Sequence, residues 1–391
     1  MRSPDALVIG GGLIGCSIAR ALAADGRSVI LLERNREPGA EASKAAAGLL
    51  VPQTERAMGR LGAGSEAAEE AMLALLLESQ RRFPAFAREL EELSGRSVHY
   101  RAEGSLVAAL SAEEAAALAA FARRQTERGL RAEWIEGSVA RRLEPALGPA
   151  VRAALLVPGD HQVDNVELTL AAVDATRREG VEVRTSAPAA AIVARDGRAA
   201  GVRLEDGTRL GAGLVLLAAG AWSGGLDGLP REIPVRPVKG QMIALVPPPS
   251  ATIRRIVSVP GAYCVPRDDG RVLVGATVEE AGFDTTVDEA AARQLVAAAA
   301  SALPSFRAAP VVAHWAGLRP GTPDGLPILG EDPALPGLVY ATGHYRNGIL
   351  LAPLTAAIVG AIARGEDPPV EIAPFSPARP ALTPRERRSR R

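Results

Sequence analysis

Cysteine is nearly absent from this chain of 391 residues, which carries only Cys16 and Cys264. Two thiols cannot build the disulfide framework of a small secreted domain, nor a thiolate metal site. Histidine is almost as scarce, with four residues and no metal-ligand spacing among them, so no metal is expected. Net charge is missing too: 45 basic side chains balance 45 acidic ones. That balance gives no pull towards nucleic acid or an anionic membrane. No apolar run approaches the roughly 20 residues of a membrane span. The early run Ala6 to Ile9 is too short for a signal-peptide core. A soluble, cytoplasmic protein is the expectation. One local excess breaks the balance: Arg385, Arg387, Arg388, Arg390 and Arg391 crowd the end and read as a solvated, disordered tail.

What is present is ordinary in bulk, with 47% apolar and 23% charged residues, enough for one large domain or two medium ones. The informative part comes first. Ala6 to Ile9 reads as a buried parallel strand running into Gly10-Gly11-Gly12-Leu13-Ile14-Gly15, a G-x-G-x-x-G pattern. Ile14, Ile18 and Leu22 then recur at steps of four on one helical face, and Gly26 ends that helix. A second apolar run, Val29 to Leu32, finishes at Glu33. Gly10 permits the tight turn, Gly12 lets backbone approach a pyrophosphate, and Gly15 lets helix pack on strand. Glu33 stands where a carboxylate accepts hydrogen bonds from ribose hydroxyls, and it repels a 2′-phosphate. A dinucleotide is expected here.

Three later regions favour a flavin over a nicotinamide. The small-residue segment Ala42 to Leu50 suits backbone passing close along a cofactor, with Ser43 able to hydrogen-bond a phosphate. Val163-Asp164 opens a helix through Leu168, Ala172 and Ala175. It leads to the strand Val181-Glu182-Val183 and to hairpin turns at Asp196-Gly197 and Asp206-Gly207. That unit closes on the buried run Leu214 to Leu217 and the turn Ala218-Ala219-Gly220-Ala221-Trp222. Leu338 to Ala341 reads as a strand before Gly343-His344-Tyr345-Arg346-Asn347-Gly348. A helix from Ile349 towards Ile362 follows, with Pro353 in its first turns. Its N-terminus would aim partial positive charge at a flavin's pyrimidine edge.

Together these motifs, with Ala45-Ala46-Ala47-Gly48-Leu49 and Trp315-Ala316-Gly317-Leu318-Arg319-Pro320, resemble the D-amino-acid oxidase family of FAD-dependent flavoproteins. Within it they look most like the glycine oxidase branch associated with thiamine biosynthesis. The resemblance spans roughly residues 5 to 365. It implies an α/β fold, α+β overall: a Rossmann-like FAD-binding domain interleaved with a substrate domain on an antiparallel sheet. FAD segments would lie at 1–85, 150–228 and 317–370 and substrate segments at 86–149 and 229–316, with the basic tail at 371–391.

The resemblance also implies roles for residues. In the opening unit FAD would be held by Gly10, Gly12, Leu13, Ile14, Gly15, Glu33 and Arg34. Ser43, Ala46, Ala47, Gly48 and Leu50 follow, then Val183, Ala219, Gly220 and Trp222. The C-terminal part adds Arg319, His344, Arg346, Asn347, Gly348, Ile349 and Leu350. Arg319 would grip the substrate carboxylate with its planar fork, Tyr263 would add a second contact, and Arg346 would sit at the pocket mouth. No residue is expected to act as acid or base: hydride transfer needs a neutral amine and positioning, so His344 would contribute backbone. His314 reads as a packed core residue, and His99 and His161 belong to no constellation. No cysteine follows Cys264, which excludes covalent flavin attachment in the C-terminal third, and Cys264 should be buried. The implied reaction is oxidative deamination of glycine or a similar small amine, with O2 reduced to hydrogen peroxide. The implied partners are thiazole synthase and a homo-oligomer, with neither nucleic acid nor a membrane span. A D-amino-acid dehydrogenase feeding a quinone and a noncatalytic flavoprotein subunit are the alternatives.

Overall fold

The apolar runs read from the sequence become adjacent strands. A computed structural model describes residues 3–61 and 65–382. Its six-stranded sheet runs, in spatial order, Ile328–Glu331, Leu338–Thr342, Leu214–Leu217, Ala6–Ile9, Val29–Leu32 and Glu182–Arg184. All pairings are parallel except that between the first two. Ala6–Ile9 is central and fully buried. Its neighbours are the next strand in sequence on one side and Leu214–Leu217 on the other. The chain thus winds away from it in both directions, which opens a crevice at its carboxyl end. The Leu13–Ala24, Glu66–Ser94, Asn165–Arg178 and Gly348–Arg364 helices bury their apolar stripes in one core against this sheet. No described helix is long and apolar enough to cross a membrane.

A second, eight-stranded sheet has the order Val311–Gly321, Arg236–Leu245, Val272–Gly275, Ala262–Pro266, Ile256–Val259, Ser105–Ala109, Ala153–Val157, Glu133–Glu136. It is antiparallel apart from the parallel pair Ile256–Val259 with Ser105–Ala109. Both Asp-Gly turns form, joining Ala189–Arg195, Arg198–Leu204 and Arg209–Gly211 into a small antiparallel sheet. Asp196 and Gly197 take φ of 51° and 73°, the backbone that a two-residue hairpin turn demands.

Two strands and a helix cross the expected segment limits. Ala153–Val157 belongs to the eight-stranded sheet although it lies inside 150–228, Val311–Gly321 straddles 317, and Glu66–Ser94 runs through 85. The first part of the segment expected as a loose tail is ordered. Residues 371–382 are packed, with Phe375 and Leu382 buried. Arg379 forms an ion pair with Asp324 at 2.7 Å and donates to backbone carbonyls at Pro327 and Leu326. The arginine cluster 385–391 lies outside the described residues.

Candidate functional site

The crevice at the end of Ala6–Ile9 opens into a cavity of about 340 Å³ that reaches the eight-stranded sheet. At one end Glu33 is buried. One of its carboxylate oxygens accepts from the Gly11 N–H at 2.8 Å and the other from the Asn35 N–H at 2.7 Å. This pins the acid beside the glycine turn while leaving lone pairs for further donors. Gly10 sits at φ +107°, where a Cβ would lie 2.4 Å from the Ala218 carbonyl oxygen. Gly12 begins the Leu13–Ala24 helix without a side-chain cap, and the Leu13 N–H donates to Ser43 Oγ at 3.0 Å. Gly348–Arg364 also has no side-chain cap and no acid in its first turn, and Gly348 and Ile349 line the same cavity. Two helix N-termini therefore present backbone donors and positive dipole ends to one space. An elongated anionic ligand with a polar ring system fits such a cradle.

Of the residues expected to hold the cofactor, Gly10, Gly12, Leu13, Ile14, Glu33, Arg34, Ser43, Ala46, Ala47 and Gly48 line this cavity. Ala219, Gly220, Trp222, Arg319, His344, Arg346, Asn347, Gly348 and Ile349 line it as well. Four do not. Gly15 faces the strand, where a Cβ would lie 1.9 Å from the Gly10 carbonyl oxygen. Leu50 and Leu350 are core side chains, and Val183 pairs with Leu31 within the sheet. Trp222 stacks at 5.2 Å between ring centroids on Phe283 and carries the Arg34 guanidinium 3.5 Å above its ring, a cation–π arrangement.

The segment beside the cavity is held from outside through its carbonyls. Asn165 Nδ2 donates to the Ser43 and Lys44 carbonyls at 2.9 and 3.0 Å. Trp315 Nε1 donates to that of Ala45 and Arg267 to that of Ala47, both at 3.1 Å. Asn165 and Arg267 also bond each other at 3.0 Å. Asn165 gives no signal of this in the sequence, because its partners lie more than a hundred positions away.

At the far end, Arg319 and Tyr263 converge. The Arg319 guanidinium lies flat against Gly240, where a Cβ would come within 2.3 Å of its nitrogens. Nη1 donates to the Lys239 and Thr277 carbonyls at 3.3 and 3.1 Å. No carboxylate pairs with it among the described residues, and burial pushes its pKa down. Tyr263 is buried, and its hydroxyl donates to Met242 Sδ at 3.3 Å. Arg346, expected at the pocket mouth, is a buried partner of Glu55 at 2.9 Å. Glu55 lines the cavity and was invisible from sequence, as one acid among 45.

The histidines divide as follows. His344 is buried, its Nε2 lies 3.0 Å from Thr355 Oγ1, and burial lowers its pKa to about 3. His314 is half-buried rather than packed in the core, and bonds Gln241 at 3.0 Å. His99 meets Asp268 at the surface and His161 meets Tyr100. Cys264 is buried on the face opposite Tyr263, with its pKa pushed up to about 12. Neither cysteine lines the cavity.

His344 supplies a pH prediction. Its folded pKa lies below the unfolded value of about 6.5, so the unfolded chain takes up the proton first on acidification. The stability that neutral burial contributes is complete above that value and is lost as pH falls towards 3. Between pH 7 and 5 the loss is about 2 kcal/mol. Asp160, raised to about 7 by burial, works in the opposite sense, so the measurement is a difference. Denaturant unfolding of His344→Gln should lose less stability than wild type over that interval. Identical slopes would show that the imidazole is not buried neutral.

Comparison with known proteins places this geometry. A family model described as FAD dependent oxidoreductase matches residues 5–362. A glycine oxidase of Pseudomonas putida is 37% identical over 96% of this chain and 98% of its own length. A bifunctional protein ThiO/ThiG of Trichormus variabilis is 35% identical, over 91% of this chain and 52% of that protein. The crystal structure of glycine oxidase from Geobacillus kaustophilus superposes with a TM-score of 0.89 at 32% identity, covering 98% of this chain and all of that one.

Proposed function

The chain belongs to the family of FAD-dependent oxidoreductases, and from that premise we propose that it oxidises glycine, or a similar small amine bearing a carboxylate, to the imine. FAD is the cofactor, and it supplies one chemistry: it accepts a hydride from the substrate's α-carbon. In this reading Glu33 takes the adenosine ribose, and the Gly10–Gly12 turn with the helix behind it takes the pyrophosphate. The capless N-terminus at Gly348 and the Ser43–Gly48 segment would hold the flavin end of the cofactor with backbone donors. The FAD-binding domain is assembled from the segments around the six-stranded sheet, and the substrate domain from those around the eight-stranded one.

The observation that carries the substrate reading is Arg319: a buried guanidinium at the cavity with no carboxylate partner among the described residues. Burying such a charge is costly unless a partner arrives with the ligand. A carboxylate held in its fork, with the Tyr263 hydroxyl beside it, fixes the α-carbon in one orientation. The substrate loses a hydride from that carbon and a proton from its amine. Water then adds to the imine and releases ammonia and the oxo acid, while dioxygen takes the two electrons and two protons as hydrogen peroxide. His344, held neutral by burial, adds no charge of its own at the cavity near neutral pH. The fused ThiO/ThiG relative supports a thiamine role, in which the imine passes to thiazole synthase before it hydrolyses.

Anaerobic mixing of the FAD-loaded protein with glycine tests this directly. Bleaching of the visible flavin band, with fast recovery on admitting air, is the expected result. A band unchanged by millimolar glycine would remove glycine as substrate, and slow recovery in air would point to a quinone acceptor.

A further inference from the structure

The cavity holds two arginines in opposite states. Arg319 bonds only backbone carbonyls among the described residues. Arg346 has its Nε committed to Glu55 Oε2 at 2.9 Å, with the two side chains 12% and 5% exposed. Both arginines and Glu55 line the same space, and Tyr263 stands with them. Charge within the lining at this end therefore sums to two cations and one anion, which leaves one positive charge to be met by a ligand. Arg60, 3.7 Å from the other Glu55 oxygen, does not line the cavity.

Glu55 is also held firmly in place. It sits on the short Pro52–Ala57 helix, whose Thr54 hydroxyl bonds Ser105 Oγ at 2.8 Å. Ser105 donates in turn to the buried Asp160 at 2.8 Å. The helix therefore cannot swing the carboxylate away without breaking a buried polar chain.

Given the reading that this cavity takes an amine carrying a carboxylate, we infer that Glu55 serves as a resident second carboxylate that restricts the site to substrates with a single acid group. It occupies Arg346, the other cation that lines this end of the cavity. It also sets a fixed negative charge in a space where like charges repel strongly. An amino diacid, such as glycine bearing a second carboxymethyl group on nitrogen, would meet a filled position and a repulsion. Removing the charge of Glu55 frees the Arg346 fork and converts the exclusion into a binding position. Glu55 is thus a specificity-determining residue that acts by keeping a cation occupied.

The test uses FAD-loaded protein and two probes of like shape that lack an amine and cannot be oxidised: methylthioacetate, with one acid, and thiodiacetate, with two. Dissociation constants come from their perturbation of the flavin spectrum. Wild type should bind thiodiacetate about tenfold or more weakly than methylthioacetate. In Glu55→Gln that ratio should fall by about tenfold or more. The double variant Glu55→Leu with Arg346→Met removes the pair together, a change that buried ion pairs often tolerate. With no freed cation, it should keep a ratio near that of wild type. Equal binding of the two probes by wild type overturns the inference without any variant. So does an unchanged ratio in Glu55→Gln, or a fall in the double variant as large as in the single. If neither probe perturbs the wild-type spectrum, the carboxylate site itself is refuted and the inference with it.

Discussion

Arg319→Met should lower kcat/KM for glycine by roughly 30- to 4,000-fold, which corresponds to about 2–5 kcal/mol for truncating one partner of a buried charge pair. The loss should fall mainly on binding and orientation. The guanidinium is the one cation at the cavity with no protein carboxylate among the described residues, and the Gly240 backbone it lies against fixes its plane. Methionine keeps the volume and the apolar stem but supplies no donors. The apoprotein should melt close to wild type, because two effects oppose each other. The Lys239 and Thr277 carbonyls lose their donor, while an unpaired buried charge disappears. Arg319→Lys should recover only part of the activity, since an ammonium keeps the charge without the planar two-point grip. Steady-state kinetics with a thermal melt decide the matter: a kcat/KM within tenfold of wild type would take Arg319 out of substrate binding.

The glycines of the opening turn should separate into two kinds when each is changed to alanine. At Gly15 the new methyl would lie 1.9 Å from the Gly10 carbonyl oxygen and 3.5 Å from Val8 Cγ1. Backbone meets backbone there, so the Leu13–Ala24 helix must lift from its strand. Such overpacking costs about 1–3 kcal/mol or more and should show as a lower melting temperature even without cofactor. At Gly12 a Cβ would meet Ser43 Oγ at 3.3 Å, and a serine side chain can turn aside. Gly12→Ala should therefore fold like wild type. It should nonetheless lose FAD affinity by about 100-fold, near 2.7 kcal/mol, because its methyl stands where the pyrophosphate must approach the backbone. Apoprotein melts and FAD titration by fluorescence quenching separate the two. Undiminished FAD affinity in Gly12→Ala would mean that the phosphates bind elsewhere.

Much of this protein is legible along the chain. Four consecutive apolar residues before Gly10, apolar steps of four after it and a second run ending at Glu33 fix a strand, a helix and a strand. Residues close in sequence set those patterns through backbone periodicity, and steric room at glycine adds the turn between them. The hairpins at Asp196-Gly197 and Asp206-Gly207 and the helix carrying Pro353 were readable for the same local reason. Motif order then carried the family, because each fragment keeps its residues within a few positions.

Tertiary structure alone decided how the fragments meet. The strand order brings Arg346 onto Glu55 across 291 positions and Trp315 onto Ala45 across 270. The same order put Ala153–Val157 in the eight-stranded sheet and seated Arg379 against Asp324, where sequence had suggested a boundary and a loose tail. Charge state followed from these meetings. Arg319 and Arg346 are the same residue type in equally suggestive motifs, yet among the described residues one bonds only carbonyls and the other is taken by a buried acid. Periodicity fixes which face of an element is buried, but long-range pairing fixes what that face touches, and a buried charge is defined by its partner.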